Sequence, residues 1–367
     1  MTNPAEEKVL MTGNEAIAAG AIQAGCRFYA GYPITPQNEL TAYMAKHMPQ
    51  AGGIFIQAES ELAAINMVFG AAASGARAMT SSSSPGISLK QEGISYIAGA
   101  ELPAVIVNIM RGGPGLGNIW PAQSDYFQAT RGGGHGDYRC MVLAPSSVQE
   151  AFDLMPLAFT LADRYRNPSL ILGDGMLGQM MEPIVANCIS HIAYRNDKRL
   201  AISDKQKKWA LTGCKNREPN IIKSFYMKEG DLEKFNLRLQ AKYRLIKEKE
   251  QRCESLFLED AEIILVAYGT MARIAKSAAN RLREKNKKTG LIRPITLWPF
   301  PDKVFKRLAI SNKRLAILVI EMSYGQMVED VKLALDCKAR VDFLGRSGGG
   351  VPTEEEIINK VRKLISS

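Results

Sequence analysis

Histidine and tryptophan are both scarce in this chain, at three residues each in 367. The six cysteines, Cys26, Cys140, Cys188, Cys214, Cys253 and Cys337, are scattered, and no two stand at CxxC spacing. That excludes a zinc ribbon or an iron–sulfur ligand run within the chain, and reduced, mostly buried thiols are expected. No apolar stretch approaches the roughly 20 residues that cross a bilayer, so no membrane segment is expected. Residues 1–7 hold neither a basic nor an apolar leader segment, which points to the cytoplasm. No glycine loop ends in Gly-Lys-Ser/Thr, and no G-x-S-x-G elbow occurs. P-loop and serine-hydrolase chemistry are thereby set aside.

What is abundant is positive charge, with 47 Lys and Arg against 37 Asp and Glu. Much of the excess is local. Arg195, Lys198, Arg199, Lys205, Lys207, Lys208 and Lys215 face only Asp197 and Asp204. A basic stripe in a connector reads as a solvated face or a contact for acidic partners, so no nucleic acid is expected. At this length two domains are the default.

Short apolar runs at 27–32, 53–57, 78–82, 104–110, 140–144 and 169–172 alternate with segments of helical period at 14–24, 37–47, 60–75, 87–100 and 147–165. Such alternation predicts an α/β fold with a doubly wound parallel sheet and its active loops at the strands' C-terminal ends. Residues 1–185 form the first expected domain and 186–259 a basic linker. In the linker, residues 231–257 read as one amphipathic helix carried by Leu232, Phe235, Leu239, Tyr243, Ile246, Cys253 and Phe257. Alternation resumes over 260–367, which predicts a second, smaller doubly wound α/β domain.

Four places could carry chemistry. Thr35 stands between Pro33 and Pro36 after a strand. Pattern alone favours it as the N-cap of the next helix, with Pro36 at the first position; a stiff loop presenting one hydroxyl is the alternative. Glu61 opens a helix that has no other charge through Ala76 and is apolar on every side, so the helix is expected in a core or an interface. Its carboxylate would be partly desolvated, unless it merely complements the helix dipole. Arg111 enters a glycine-rich loop, Gly112 to Asn118, where it could hold a carboxylate by paired bonds. The run Ser81-Ser-Ser-Ser-Pro-Gly86 offers N–H groups and hydroxyls to an anion, or is an ordinary helix entry. A second glycine run, 132–136, holds His135 and reads as a mobile loop. Gly173-Asp174-Gly175 begins like a metal–diphosphate motif, but Asn187 and Asn196 are poorly placed as partners; Asp174 reads as a strand-end turn residue.

In order and spacing, these motifs resemble the α subunit of 2-oxoacid:ferredoxin oxidoreductases along nearly the whole chain. The match runs through Gly31-Tyr-Pro-Ile-Thr-Pro36, Ala58-Glu-Ser-Glu-Leu-Ala-Ala64, Thr80-Ser-Ser-Ser-Ser-Pro-Gly86, Asn108-Ile-Met-Arg-Gly-Gly-Pro114, Gln123-Ser-Asp125, Arg293-Pro-Ile-Thr-Leu-Trp-Pro-Phe-Pro301 and Glu321-Met-Ser-Tyr-Gly-Gln-Met327. The loop from Gly115 to Tyr126 looks most like the 2-oxoisovalerate (branched-chain) type; the alternatives are the 2-oxoglutarate or pyruvate types, or a non-catalytic scaffold. The resemblance implies a thiamine-diphosphate-enzyme pyrimidine-binding domain followed by a transketolase C-terminal-like domain serving assembly, in which Gln326 and Glu329 are structural. It implies that Glu61 bonds N1′ of the cofactor's aminopyrimidine and drives proton removal from the thiazolium. It also implies that Thr35 binds the substrate's carboxylate region and that Arg111 pairs with that carboxylate. Coenzyme A is the implied acyl acceptor. A β subunit would supply the diphosphate and Mg2+ site. The [4Fe-4S] clusters would lie on partner subunits, including γ and ferredoxin-like δ chains or their equivalents, with ferredoxin as electron acceptor.

Overall fold

Strands that read as continuous apolar runs need cover on both faces, and the chain folds to supply it. The computed structural model describes residues 8–185, 207–311, 315–336 and 339–366. Arg195, Lys198, Arg199 and Lys205 of the basic stripe lie outside the described residues, as do Asn187, Asn196, Cys188 and Cys337.

Seven strands make the first sheet. In chain order they are β2 (Phe28–Gly31), β3 (Ile54–Gln57), β4 (Ala78–Ser82), β5 (Val105–Met110), β6 (Met141–Leu143), β7 (Ser169–Asp174) and β12 (Thr296–Trp298). Their spatial order is β12-β6-β7-β5-β4-β2-β3. All pairings are parallel except β12 with β6. Every residue of β4, β5 and β7 is buried. Helices α1 (Gly13–Gln23), α2 (Asn38–His47), α3 (Glu61–Ala73), α4 (Ser84–Gly99) and α6 (Val148–Tyr165) connect and cover them. β2 leads outward to β3, whereas β4 leads the other way to β5. The direction of winding therefore reverses between β2 and β4, which opens a crevice at their C-terminal ends.

The second sheet runs β14-β13-β10-β11-β9, from β9 (Cys253–Leu256), β10 (Ile263–Val266), β11 (Thr289–Pro294), β13 (Ala316–Glu321) and β14 (Arg340–Gly345). Only β9 is antiparallel in it. A separate two-stranded ribbon joins β1 (Lys8–Thr12) to β8 (Met181–Val185). The fold is thus α/β with two doubly wound, mainly parallel sheets.

The long amphipathic helix ends early. α8 spans Asp231–Lys249 and buries Phe235, Leu239, Tyr243 and Ile246 as its spacing predicts. Residues 253–256 are instead the edge strand β9. The cause is Glu250, the C-cap. Its buried carboxylate accepts from Tyr165 (2.6 Å), Arg164 (3.1 Å) and Arg252 (2.8 Å), which turns the chain.

Among the links between the two sheets, one amide is central. Gln123 is fully buried; its Nε2 donates to the Tyr268 carbonyl (2.9 Å), and the Met322 N–H donates to its Oε1 (3.0 Å). Its own N–H donates to the Met322 carbonyl (2.8 Å). These partners lie just past β10 and β13, where winding reverses in the second sheet. A site that would otherwise suit a ligand is filled by protein. Asp174 adds to the seal. Its Oδ1 accepts from the N–H groups of Met176 and Leu177 and from Thr270 Oγ1 (2.8 Å), while Oδ2 accepts from the Thr270 N–H. It caps the short helix α7 (Gly175–Gln179) as a strand-end residue, with its oxygens engaged. Replacing Gln123 with Leu leaves the Met322 N–H without a partner and takes from the Tyr268 carbonyl the shorter of its two bonds. Urea unfolding should show a loss of about 2 kcal/mol.

Candidate active site

The crevice between β2 and β4 is lined by residues from four strand ends. The loop after β2 is pinned from three directions. Asn14 Nδ2 and Gln179 Nε2 each donate to the Pro36 carbonyl at 2.8 Å, and Arg111 Nη1 donates to the Thr35 carbonyl at 3.0 Å. The Thr35–Pro36 bond is cis. Thr35 is not the helix cap that its pattern favours. α2 begins at Asn38 with Gln37 at the N-cap, and Thr35 Oγ1 accepts from the Asn38 side chain at 3.3 Å. The anchors on Pro36 shape the loop before the helix starts, and the hydroxyl stays half-buried at the sheet edge.

Gln37 turns inward instead. Ser81 Oγ (2.6 Å) and Thr41 Oγ1 (3.3 Å) donate to its Oε1, and Ser81 Oγ also bonds the Tyr29 hydroxyl (2.6 Å). This buried chain of hydroxyls ties β2 to β4.

Arg111 follows β5 and is 7% exposed. Its Nη2 donates to the Leu116 carbonyl (3.1 Å), so the guanidinium clamps the loop after β2 to its own glycine-rich loop. Nε is buried without a partner. Ser84 steadies the backbone here: its Oγ accepts from the Arg111 N–H (3.0 Å) and donates to Asp125 Oδ2 (2.6 Å). Asn108 Nδ2 donates to the same oxygen (2.9 Å). Burial pushes the Asp125 carboxyl above its usual range, against the bonds from Ser84 and Asn108.

Glu61 is the first residue of α3, after the N-cap Ser60, whose Oγ accepts from the Ala63 N–H at 3.1 Å. Its side chain is 6% exposed and turns toward Gly86 in the first turn of α4. A Cβ on Gly86 would overlap Ser82 Oγ and stand 2.5 Å from Glu61 Oε1. Beside it, Ser82 Oγ and Ser83 Oγ are buried without hydrogen-bond partners.

The helix behind Glu61 is not buried on every side within this chain. Leu62 (47% exposed), Asn66 and Gly70 leave one stripe open, and Leu89 on the packed helix α4 is exposed as well (58%). The structure thus joins Thr35 to Arg111 directly and sets Glu61 at the same sheet edge. It does not bring in His135, whose carbonyl accepts from Ser95 farther along α4. Gln326 and Glu329 hold the domains together: the Phe127 N–H donates to Gln326 Oε1 (2.8 Å), and Arg131 pairs with Glu329 (3.3 Å). Sequence reasoning passed over Lys90, which is fully buried in α4. The signal was its spacing to Ile87, Ile94 and Ile97, which put a lysine on the core face.

The family model for "Pyruvate flavodoxin/ferredoxin oxidoreductase, thiamine diP-bdg" matches residues 19–229, and that for "Pyruvate:ferredoxin oxidoreductase core domain II" matches 261–357. The chain is 49% identical to the ketoisovalerate oxidoreductase subunit VorB of Methanothermobacter marburgensis, over 97% of both chains. It is 37% identical to the 2-oxoglutarate synthase subunit KorA of Methanothermobacter thermautotrophicus, over 98% of this chain and 99% of the other. Among solved structures it is similar to a 2-oxoglutarate:ferredoxin oxidoreductase from Magnetococcus marinus, with 2-oxoglutarate, coenzyme A and succinyl-CoA bound. The TM-score there is 0.84 at 26% identity, and the match covers 99% of this chain but 66% of that one. An inactive split-gene transketolase tetramer shares the fold alone, at a TM-score of 0.58 and 12% identity. With one family model spanning more than half its length and curated relatives aligned almost end to end, the chain belongs to the 2-oxoacid:ferredoxin oxidoreductases, as a subunit of the kind that VorB and KorA represent.

Proposed function

We propose that this chain is the α subunit of a 2-oxoacid:ferredoxin oxidoreductase that converts a branched-chain 2-oxoacid, 2-oxoisovalerate, with coenzyme A to acyl-CoA, CO2 and reduced ferredoxin. The observation that carries the reading is Glu61: a lone carboxylate, 6% exposed, at the opening turn of a helix whose outer face lacks cover. The residues present fit thiamine diphosphate. Glu61 offers an acceptor for a ring nitrogen, the orphaned hydroxyls of Ser82 and Ser83 offer further bonds, and Gly86, lacking a Cβ, lets the carboxylate lie close against α4. When bound, that cofactor supplies a carbon nucleophile for the 2-oxo group. Glu61 holds and moves the proton at the aminopyrimidine nitrogen, a task that suits a buried carboxyl.

Arg111 and Thr35 place the substrate. Arg111 gives two donors to main-chain carbonyls, which fix the plane of its guanidinium, and its buried Nε has no partner within the chain, so a donor remains for the substrate's carboxylate. Thr35 presents its hydroxyl from a loop that Arg111 itself holds. The apolar end of the acid is met by the loop beyond Arg111, where Leu116 (80% exposed), Ile119 and Trp120 stand in the open. A second substrate carboxylate, as in 2-oxoglutarate, would meet no cation on that loop and would be costly to desolvate.

The open stripe of Leu62 and Leu89 supports a shared site, covered by a β subunit that carries the diphosphate and Mg2+. The [4Fe-4S] clusters, with γ and ferredoxin-like δ chains or their equivalents, belong to the partners. The division into a pyrimidine-binding domain (1–185), a linker (186–259) and an assembly domain (260–367) is part of the same reading, as is a cytoplasmic setting. Among the described residues no helix is long and apolar enough to cross a membrane.

Three outcomes test it. In the assembled complex Glu61→Gln should lower turnover about 10²-fold or more, and unchanged turnover would remove Glu61 from the mechanism. Ferredoxin reduction should run at least about tenfold faster with 2-oxoisovalerate than with 2-oxoglutarate at limiting substrate; the reverse ratio overturns the substrate assignment. Gly86→Ala should displace the Glu61 carboxylate and cost about 10²-fold in turnover while the complex still assembles, as gel filtration checks.

A further inference from the structure

The glycine-rich loop after β5 has little of its own to hold it. Four of the seven residues from Gly112 to Asn118 are glycines, whose backbones lose the most freedom on ordering. Its large apolar side chains add little packing, since Leu116, Ile119 and Trp120 are 80%, 55% and 63% exposed. Within the loop, the Gly112 N–H donates to the Trp120 carbonyl and the Asn118 N–H to the Gly112 carbonyl, both at 2.9 Å. Arg111 fastens the Leu116 carbonyl.

The other fastenings come from the second domain. Asn118 Nδ2 donates to the Gly348 carbonyl at 3.1 Å, across 230 residues of sequence, while its Oδ1 accepts from the Trp120 N–H at 3.1 Å. A Cβ on Gly112 would stand 2.5 Å from that Oδ1, so a glycine is what admits the amide here. Trp120 lies against Gly349, where a Cβ would come within 2.6 Å of the Trp120 Cβ. Gly348 and Gly349 both have positive φ and form a turn just past β14. The turn is itself tied to the sheet, because the Arg346 N–H donates to the Glu321 carbonyl at the end of β13 (3.3 Å). The next residue, Met322, bonds Gln123. The segment from Asn118 to Gln123 therefore runs along one edge of the second sheet and is bonded to that domain at both ends.

We propose that Asn118 and Gly349 are positioning residues for substrate selection, holding the loop of Leu116, Ile119 and Trp120 in the shape that meets the acid's branched end. The proposal rests on the role given to that loop. A carbonyl and a bare glycine suffice for the task, because one accepts a bond and the other admits an indole at contact distance. The second domain thus does more than assemble subunits: it completes the substrate side of a crevice that the first domain builds.

The test uses the assembled complex. Asn118→Asp keeps the acceptor for the Trp120 N–H and removes only the donor to Gly348. Gly349→Ala puts a methyl group against Trp120, and Gly348→Ala, with open space around its Cβ, carries left-handed backbone strain without that contact. Without substrate, hydrogen exchange read by mass spectrometry should be about tenfold faster at the amides of Gly112, Asn118 and Trp120 in Asn118→Asp and Gly349→Ala. Gly348→Ala should loosen the loop less. With 2-oxoisovalerate, KM should rise about tenfold at nearly constant kcat, whereas pyruvate, which lacks the branched end, should change by less than about twofold. Wild-type exchange in both variants overturns the proposal, as does an equal loss for both acids. Equal loosening by Gly348→Ala assigns the effect to strain in the turn and overturns the contact with Trp120. Failure of both variants to assemble assigns the contact to folding and overturns the proposal too. A wrong substrate assignment is read separately, from the acid that the unaltered complex prefers, and the exchange measurement stands apart from it.

Discussion

Arg111 is the constraint on which the crevice depends. One guanidinium fastens its own loop and the loop of Thr35, 76 residues before it in sequence, each through a main-chain carbonyl. Carbonyls are always present, so the clamp fixes backbone shape whatever the neighbouring side chains are. Its backbone is in turn set by Ser84, Asn108 and Asp125, a polar group that is itself largely buried. Within that group Ser84 and Asn108 both bond Asp125 Oδ2, and Asn108 belongs to β5 itself.

The two sheets share a design and differ in use. Each reverses its winding near the middle, and each thereby makes a crevice at its C-terminal edge. In the first, the crevice keeps orphaned hydroxyls and a buried carboxylate. In the second, Gln123 and Asp174 enter from the first domain and consume the available donors and acceptors. Near Glu321, whose carboxylate accepts from the N–H groups of Met327 and Val328, burial pushes the carboxyl upward. This is an acid that closes a helix end rather than one that works on a ligand.

Much of this was legible in the residues. The parallel strands announce themselves because a strand covered on both faces is apolar throughout, and β4, β5 and β7 are of that kind. The motif order pointed to Thr35, Glu61 and Arg111, and the fold carries them to one sheet edge. The failures have physical causes. The helix over 231–257 was overrun because Cys253 and Phe257 continue its apolar spacing, while the stop lies in the distant partners of Glu250. β12 is three residues long and exists only by pairing with β6 across half the chain. The open stripe on α3 could not be told from core, because composition does not distinguish an interior from a face awaiting a partner. Lys90 was passed over since lysines usually face water, although its period said otherwise.

The crossing of β12 into the first sheet has a consequence for how the chain is built. By pairing with β6, residues 296–298 seal what would otherwise be a bare strand margin, while Trp298 stacks edge-on against Tyr243 of the connecting helix. The N-terminal half of the polypeptide therefore finishes its own sheet only after most of the C-terminal half has been made. During synthesis that margin stays open to pairing with other chains, and release of the whole chain, not of its first half, is what protects it.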